Sequence, residues 1–127
     1  MPIVTVTVRE GKPSEFKSAV LGAVHSALVA SGVPEKDRFQ RVLELSADDF
    51  RFDPEYPDLK SHRTEEFVLI EILFSVGRSV RVKKKIVADI LGSLAKAPGL
   101  NPENVMICFK ETLWENWSFG GGRFIHA

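Results

Sequence analysis

Apolar residues recur with two different periods along this chain, and the switch between them marks out its elements. From Ile3 to Val8 the period is two, with Val4, Val6 and Val8 on one face and Ile3, Thr5 and Thr7 on the other, which predicts a strand. Pro2 suits its first position, where no ladder hydrogen bond need be donated. Gly11-Lys12-Pro13-Ser14 breaks the strand and opens a helix from Glu15 to about Ser31. Its apolar face is Phe16, Val20, Ala23, Val24, Ala27 and Leu28. Gly32-Val33-Pro34 stops it, and a polar turn over Glu35 to Arg38 leads into a strand from Phe39 to Leu45. Residues 46 to 65 are polar, carry Pro54 and Pro57, and read as a long loop with a brief strand at Phe50 to Phe52. Phe67 to Ser75 is the most apolar segment and a strand. After Gly77-Arg78-Ser79 a second helix runs from Val80 to Lys96, with Val82, Ile86, Ile90, Leu91 and Leu94 inward and Lys83, Lys84 and Lys85 solvated. Ala97-Pro98-Gly99 ends it, Val105 to Phe109 is the last main strand, and the aromatic, glycine-rich tail from Trp114 to Phe124 reads as a hairpin.

The pattern repeats. Gly11-Lys12 and Gly77-Arg78 are offset by 66 positions (11 to 77), and Lys17 and Lys83 keep that offset. Gly32-Val33-Pro34-Glu35 resembles Gly99-Leu100-Asn101-Pro102-Glu103 with one residue inserted. Each half, about 2–46 and 66–111, is strand, helix, strand, and residues 112–127 form a tail. Two such units predict one α/β domain with a four-stranded sheet and both helices on one face. Val68, Ile70, Ile72 and Phe74 alternate with Phe67, Leu69 and Leu73, so both faces of the third strand read as mainly apolar. The fourth strand, with Met106 and Cys108 between Val105, Ile107 and Phe109, reads the same way and makes Cys108 look buried. A sheet covered by helices on one side should alternate. No segment remains to cover the second face, so self-association is expected.

Composition narrows the function classes. Lys plus Arg and Asp plus Glu each number 17 in 127 residues, so there is no broad electrostatic footprint for nucleic acid or an anionic membrane. There is no signal-peptide pattern and no apolar run long enough to span a bilayer. The lone Cys108 excludes an internal disulfide framework, and a cytoplasmic protein is expected. His62 and His126 are scattered, and His25 falls on the polar side of its helix. With one cysteine they make no metal site, and neither a metal nor an organic cofactor is expected. Gly120-Gly121-Gly122 lacks the Gly-Lys-Ser/Thr of a phosphate loop. Pro2 has its own chemistry. If Met1 is trimmed, it becomes a free secondary amine held on a rigid strand. Arg78, with Ser79 as N-cap of the second helix, joins a guanidinium to a helix N-terminus, a combination that favours a carboxylate.

Five segments, in order, carry a family resemblance: Met1-Pro2-Ile3-Val4, Ala23 to Leu28 (AVHSAL), Val33 to Gln40 (VPEKDRFQ), Gly77-Arg78-Ser79, and Trp117-Ser118-Phe119-Gly120. Together they resemble the tautomerase superfamily. The Asp-Arg-Phe-Gln and Trp-Ser-Phe-Gly pieces are most similar to its malonate semialdehyde decarboxylase-like branch. The resemblance implies a homotrimer of β-α-β subunits whose N-terminal proline acts as general base or cationic general acid on small 2-oxo or 3-oxo carboxylic acids. It implies catalytic roles for Pro2, Asp37 and Arg78, with Asp37 handling water or the substrate carbonyl and Arg78 holding the acid group. Trp117 and Phe119 are expected to form an apolar wall around the substrate.

One departure matters. Some of those decarboxylases carry two arginines separated by one residue, whereas Val76 fills the first position here. The match is better to relatives with a single Gly-Arg-Ser/Thr, which weighs against decarboxylation. Arg81 lies a turn into the helix. The expected activity is tautomerisation, or a decarboxylase or hydratase reaction sharing its proton transfer near a polarised carbonyl or alkene. The alternative is a non-catalytic trimer that keeps the fold as a binding or signalling module.

Overall fold

A computed structural model describes residues 2–127. The chain runs β1 (Ile3–Arg9), α1 (Ser14–Ala30), β2 (Phe39–Leu45), β3 (Val68–Ser75), α2 (Val80–Lys96) and β4 (Val105–Thr112), with short 3-10 turns at Pro102–Asn104 and Trp114–Asn116. The strands form one sheet in the order β2-β1-β3-β4. β1 and β2 are parallel, β3 and β4 are parallel, and β1 and β3 meet antiparallel with Val6 opposite Ile70. These are two βαβ units placed head to tail.

The period-two residues meet the two helices in a single core. Val4, Val6, Val8, Val68, Ile70, Ile72 and Phe74 pack against Phe16, Val20, Val24 and Leu28 of α1 and Ile86, Ile90 and Leu94 of α2. Fully burying side chains of this size contributes roughly 1.5–3 kcal/mol each, so this face specifies the fold. Side-chain capping differs between the helices. Ser79 Oγ accepts from Val82 N at 3.2 Å at the start of α2, while Pro13 precedes α1 without a side-chain cap. No helix among the described residues is long and apolar enough to cross a membrane.

The repeat extends to individual bonds. Lys17 pairs with Glu44, and Lys83 with Glu111 at 3.0 Å. Glu10 N donates to Leu45 O and Val76 N to Thr112 O, both at 2.9 Å. Gly11 and Gly77 turn the chain with φ of 94° and 123°, a region that disfavours any side chain.

Several expectations are corrected. His25 is buried, not on a polar face: its Nε2 lies 2.9 Å from Glu35 O and ties α1 to the turn before β2. Cys108 is exposed, because the second sheet face is open. That face is also less apolar than the β3 pattern implies. Glu71 stands on it, paired with Lys110, and Arg41 Nε donates to Thr5 Oγ1 at 3.1 Å. Ile3, Leu43 and Met106 remain exposed around these pairs. Phe50 to Phe52 form no strand. Phe50 and Phe52 instead cluster with Phe67, ring centroids 4.4–5.7 Å apart. The tail is a tight turn closed by a Gly120–Arg123 bridge instead of a hairpin of regular strands.

Candidate functional site

Strand direction decides which loops meet. Ile3 pairs with Phe39 on one side and Leu73 on the other, so the start of β1 lies at the sheet end where β2 begins and β3 finishes. β4, parallel to β3, finishes there too. The turn before β2, the loop after β3 and the tail after β4 therefore all gather around Pro2. They carry Asp37, Arg78, and Trp117 with Phe119.

Four of these five side chains share one cavity of about 240 Å³, lined by Pro2, Ile3, Asp37, Phe39, Trp117, Ser118 and Phe119. Pro2 is buried. The Asp37 amide donates to Pro34 O at 3.0 Å, which fixes the turn. Trp117 and Phe119 stack with centroids 5.7 Å apart and planes 10° from parallel along one side of the cavity.

Arg78 does not line this cavity. Its guanidinium lies 4.2 Å from the centroid of the Phe74 ring, with Nη1 donating to Ser75 O at 3.0 Å. Phe74 in turn stacks on Phe109 at 5.4 Å. Burial lowers the Arg78 pKa from the ordinary arginine value, opposed by the negative charges of Glu111 and Asp37. The guanidinium remains charged, since arginine titrates far above neutral pH. The same Coulombic interaction ties it to the Asp37 side of the cavity.

One contributor, Phe39, was not anticipated from the sequence. Phe39 was legible only as the start of β2, yet it is exposed at the cavity wall. Its position two residues after Asp37, as a large aromatic opening a strand, was the available signal. Trp117 is more than an apolar wall. Its indole Nε1 is buried without a hydrogen-bond partner among the described residues, and a buried unmade donor is costly unless a ligand satisfies it. Among the described residues no group of three or more His, Cys, Asp or Glu side chains could hold a metal ion. The arrangement brings the Pro2 ring, a carboxylate and an indole donor together around a small, mostly apolar space.

Comparison with known proteins identifies the family and the fold. A family described as "Tautomerase enzyme" matches residues 37–120, a span that starts at Asp37 and includes Arg78, Trp117 and Phe119. The chain is 29% identical over 124 residues to the probable tautomerase YusQ of Bacillus subtilis, covering 97% of this chain and 96% of that protein. Among solved structures, FG41 malonate semialdehyde decarboxylase inhibited by 3-bromopropiolate is 29% identical with a TM-score of 0.86, covering 95% of this chain and 91% of that one. A malonate semialdehyde decarboxylase described with decarboxylase and hydratase activities is 27% identical with a TM-score of 0.87, covering 95% and 92%. A fused 4-OT symmetric trimer shares the fold, at 18% identity and a TM-score of 0.75, covering 96% and 94%.

Proposed function

The chain belongs to the tautomerase enzyme family, and we propose that it uses the Pro2 amine as general acid and base on a small 2-oxo or 3-oxo carboxylic acid. The observation that carries this is the cavity shared by Pro2 and Asp37 against the Trp117–Phe119 wall. An apolar wall disfavours the charged amine, while a neighbouring carboxylate favours it. The balance of the two decides whether the amine starts as base or as cationic acid, and in either role one group can remove a proton and return it. Keto–enol tautomerisation needs both steps. Arg78 holds the substrate carboxylate, and Trp117 Nε1 donates to the developing enolate or carbonyl oxygen.

The second reading is a decarboxylase or hydratase reaction in the same pocket. It is supported by the likeness to malonate semialdehyde decarboxylases along most of the chain. The single Gly77-Arg78-Ser79 arginine, with Val76 before it, favours tautomerisation. The assembly we propose is a homotrimer, supported by Ile3, Leu43 and Met106 standing exposed on the sheet face that no helix covers.

Untagged protein should be assayed on phenylpyruvate enol, malonate semialdehyde, 3-haloacrylates and an acetylenic oxo acid. Ketonisation of the enol should be the fastest reaction and should fall sharply in Asp37→Asn. A trimer that turns over none of these substrates would favour the binding-module reading.

A further inference from the structure

The turn that carries Asp37 is not held by the core. Val33 lies in the core and Val42 packs against it, but none of residues 34–41 does. Glu35, Lys36, Arg38 and Phe39 are exposed. Within the turn, Asp37 N donates to Pro34 O and Arg38 N to Lys36 O, both at 3.0 Å. Two side chains, crossing in opposite directions, tie this segment to α1. From the helix, His25 Nε2 meets Glu35 O at 2.9 Å. A carbonyl oxygen can only accept, so Nε2 carries the proton. From β2, Gln40 Nε2 donates to Leu21 O at 2.8 Å, one helical turn before His25. Arg38 Nε donates to Gln40 Oε1 at 2.8 Å, so both ends of that amide are engaged and its orientation is fixed. One anchor falls before Asp37 and the other after Phe39, and both of those residues line the Pro2 cavity.

We propose that His25 and Gln40 are positioning residues. By pinning both ends of the 35–40 segment to α1, they hold the Asp37 carboxylate in its working place beside Pro2 without touching substrate. This rests on the acid–base reading of Pro2 and Asp37. Misplacing a reacting group by about 1 Å can cost roughly a hundredfold in rate, whereas a single neutral hydrogen bond contributes modestly to stability. Loss of either anchor therefore shows in turnover more than in folding.

The test compares wild type with His25→Leu, which removes the donor, His25→Gln, which restores a donor near the Nε2 position, and Gln40→Met. Asn104→Leu is the control. Asn104 is also buried and also pins a loop, accepting from Thr64 N at 2.8 Å, but at the opposite end of the sheet. Ketonisation of phenylpyruvate enol is measured well below each Tm, with amide hydrogen exchange on the same proteins. His25→Leu and Gln40→Met should lower kcat about tenfold or more and speed exchange of the Asp37 amide. His25→Gln should recover most of both. Asn104→Leu should lower Tm yet keep the wild-type kcat and Asp37 exchange. A folded His25→Leu or Gln40→Met that keeps wild-type kcat, or an equal loss in Asn104→Leu, overturns the proposal. Gln40→Met, at a half-buried position, decides alone if His25→Leu does not fold. Asp37→Asn separates the proposal from the reading beneath it. If Asp37→Asn is as active as wild type, that reading falls and takes the proposal with it. If Asp37→Asn is impaired and both anchor variants are fully active, the reading stands and the proposal alone falls.

Discussion

Gly11-Lys12 after β1 and Gly77-Arg78 after β3 occupy equivalent places in the two βαβ halves, yet their cations meet different surroundings. The Lys12 side chain is only 11% exposed. Its Nζ donates to Glu65 O at 3.0 Å and lies 3.5 Å from Glu66. Nearby, Arg9 Nε donates to Phe50 O at 2.8 Å, its Nη1 pairs with Glu65 at 3.0 Å, and its guanidinium lies over Phe52. The long loop after β2 has folded back and filled that end of the sheet with Phe50, Phe52 and their partners. At the other end Arg78 has one hydrogen bond to Ser75 O, and the Pro2 cavity stands open at the same end of the sheet. A symmetric scaffold thus offers two similar ends. The loop closes one, and among the described residues the other keeps the cavity lined by Pro2, Asp37, Trp117 and Phe119.

The largest expected effect separates the two ends at the level of the core. Phe74 lies under the Arg78 guanidinium and stacks on Phe109, whereas its repeat counterpart, Val8, has no ring for a cation to lie over. Phe74→Ala should cost about 3–5 kcal/mol of stability in a denaturant titration and weaken substrate binding as well. Val8→Ala should cost less and leave KM alone. Equal effects on KM would mean that Phe74 does not position Arg78.

Next comes the cation pair itself. Arg78→Ala should lower kcat/KM by the equivalent of roughly 1.5–3 kcal/mol on acid substrates, with little change in Tm. Lys12→Ala should do the reverse, lowering Tm and sparing kcat/KM. If both variants lose activity alike, the closed end is not closed. A smaller effect is expected from Trp117→Phe, which keeps the stacked wall and removes the indole donor. Its kcat/KM should fall by the equivalent of about 0.5–1.5 kcal/mol, and an unchanged value would return Trp117 to a packing role.

The smallest effect concerns the ion pairs that mark the repeat. The Glu44 pKa is lowered, first by its hydrogen bond to Lys17, which outweighs the opposing effect of burial, and to a lesser degree by the Gly11 amide. A carboxyl whose folded pKa lies below its unfolded one adds stability above the unfolded value, near pH 4, and loses it as the pH falls through the folded value. Melts in that acid window should show a slope that Glu44→Gln reduces. An identical slope would mean that the pair contributes nothing.

Much of this was legible in the sequence because the repeat is written in residues with narrow roles. Gly11 and Gly77 need positive φ, and every apolar residue of the α1 stripe is on its buried face, which adds only His25. Pro2, Asp37, Trp117 and Phe119 were expected from the family resemblance and do share a cavity. What stayed hidden depends on partners distant in the chain. His25 is buried because Glu35 O receives its ring nitrogen, and Glu71 is tolerated on the sheet because Lys110 lies across from it. Periodicity reports a residue's own face and cannot report such partners. It also failed in the loop and tail, where aromatic contacts replace regular backbone ladders.

The proline amine is the central claim, and its most direct test changes only the bond that hides it. Mature protein, shown by mass to have lost Met1, is compared with protein carrying an N-terminal extension that turns the Pro2 nitrogen into a tertiary amide. The account predicts that activity collapses in the extended protein while Tm and oligomeric state persist. Equal turnover by the two proteins would contradict it.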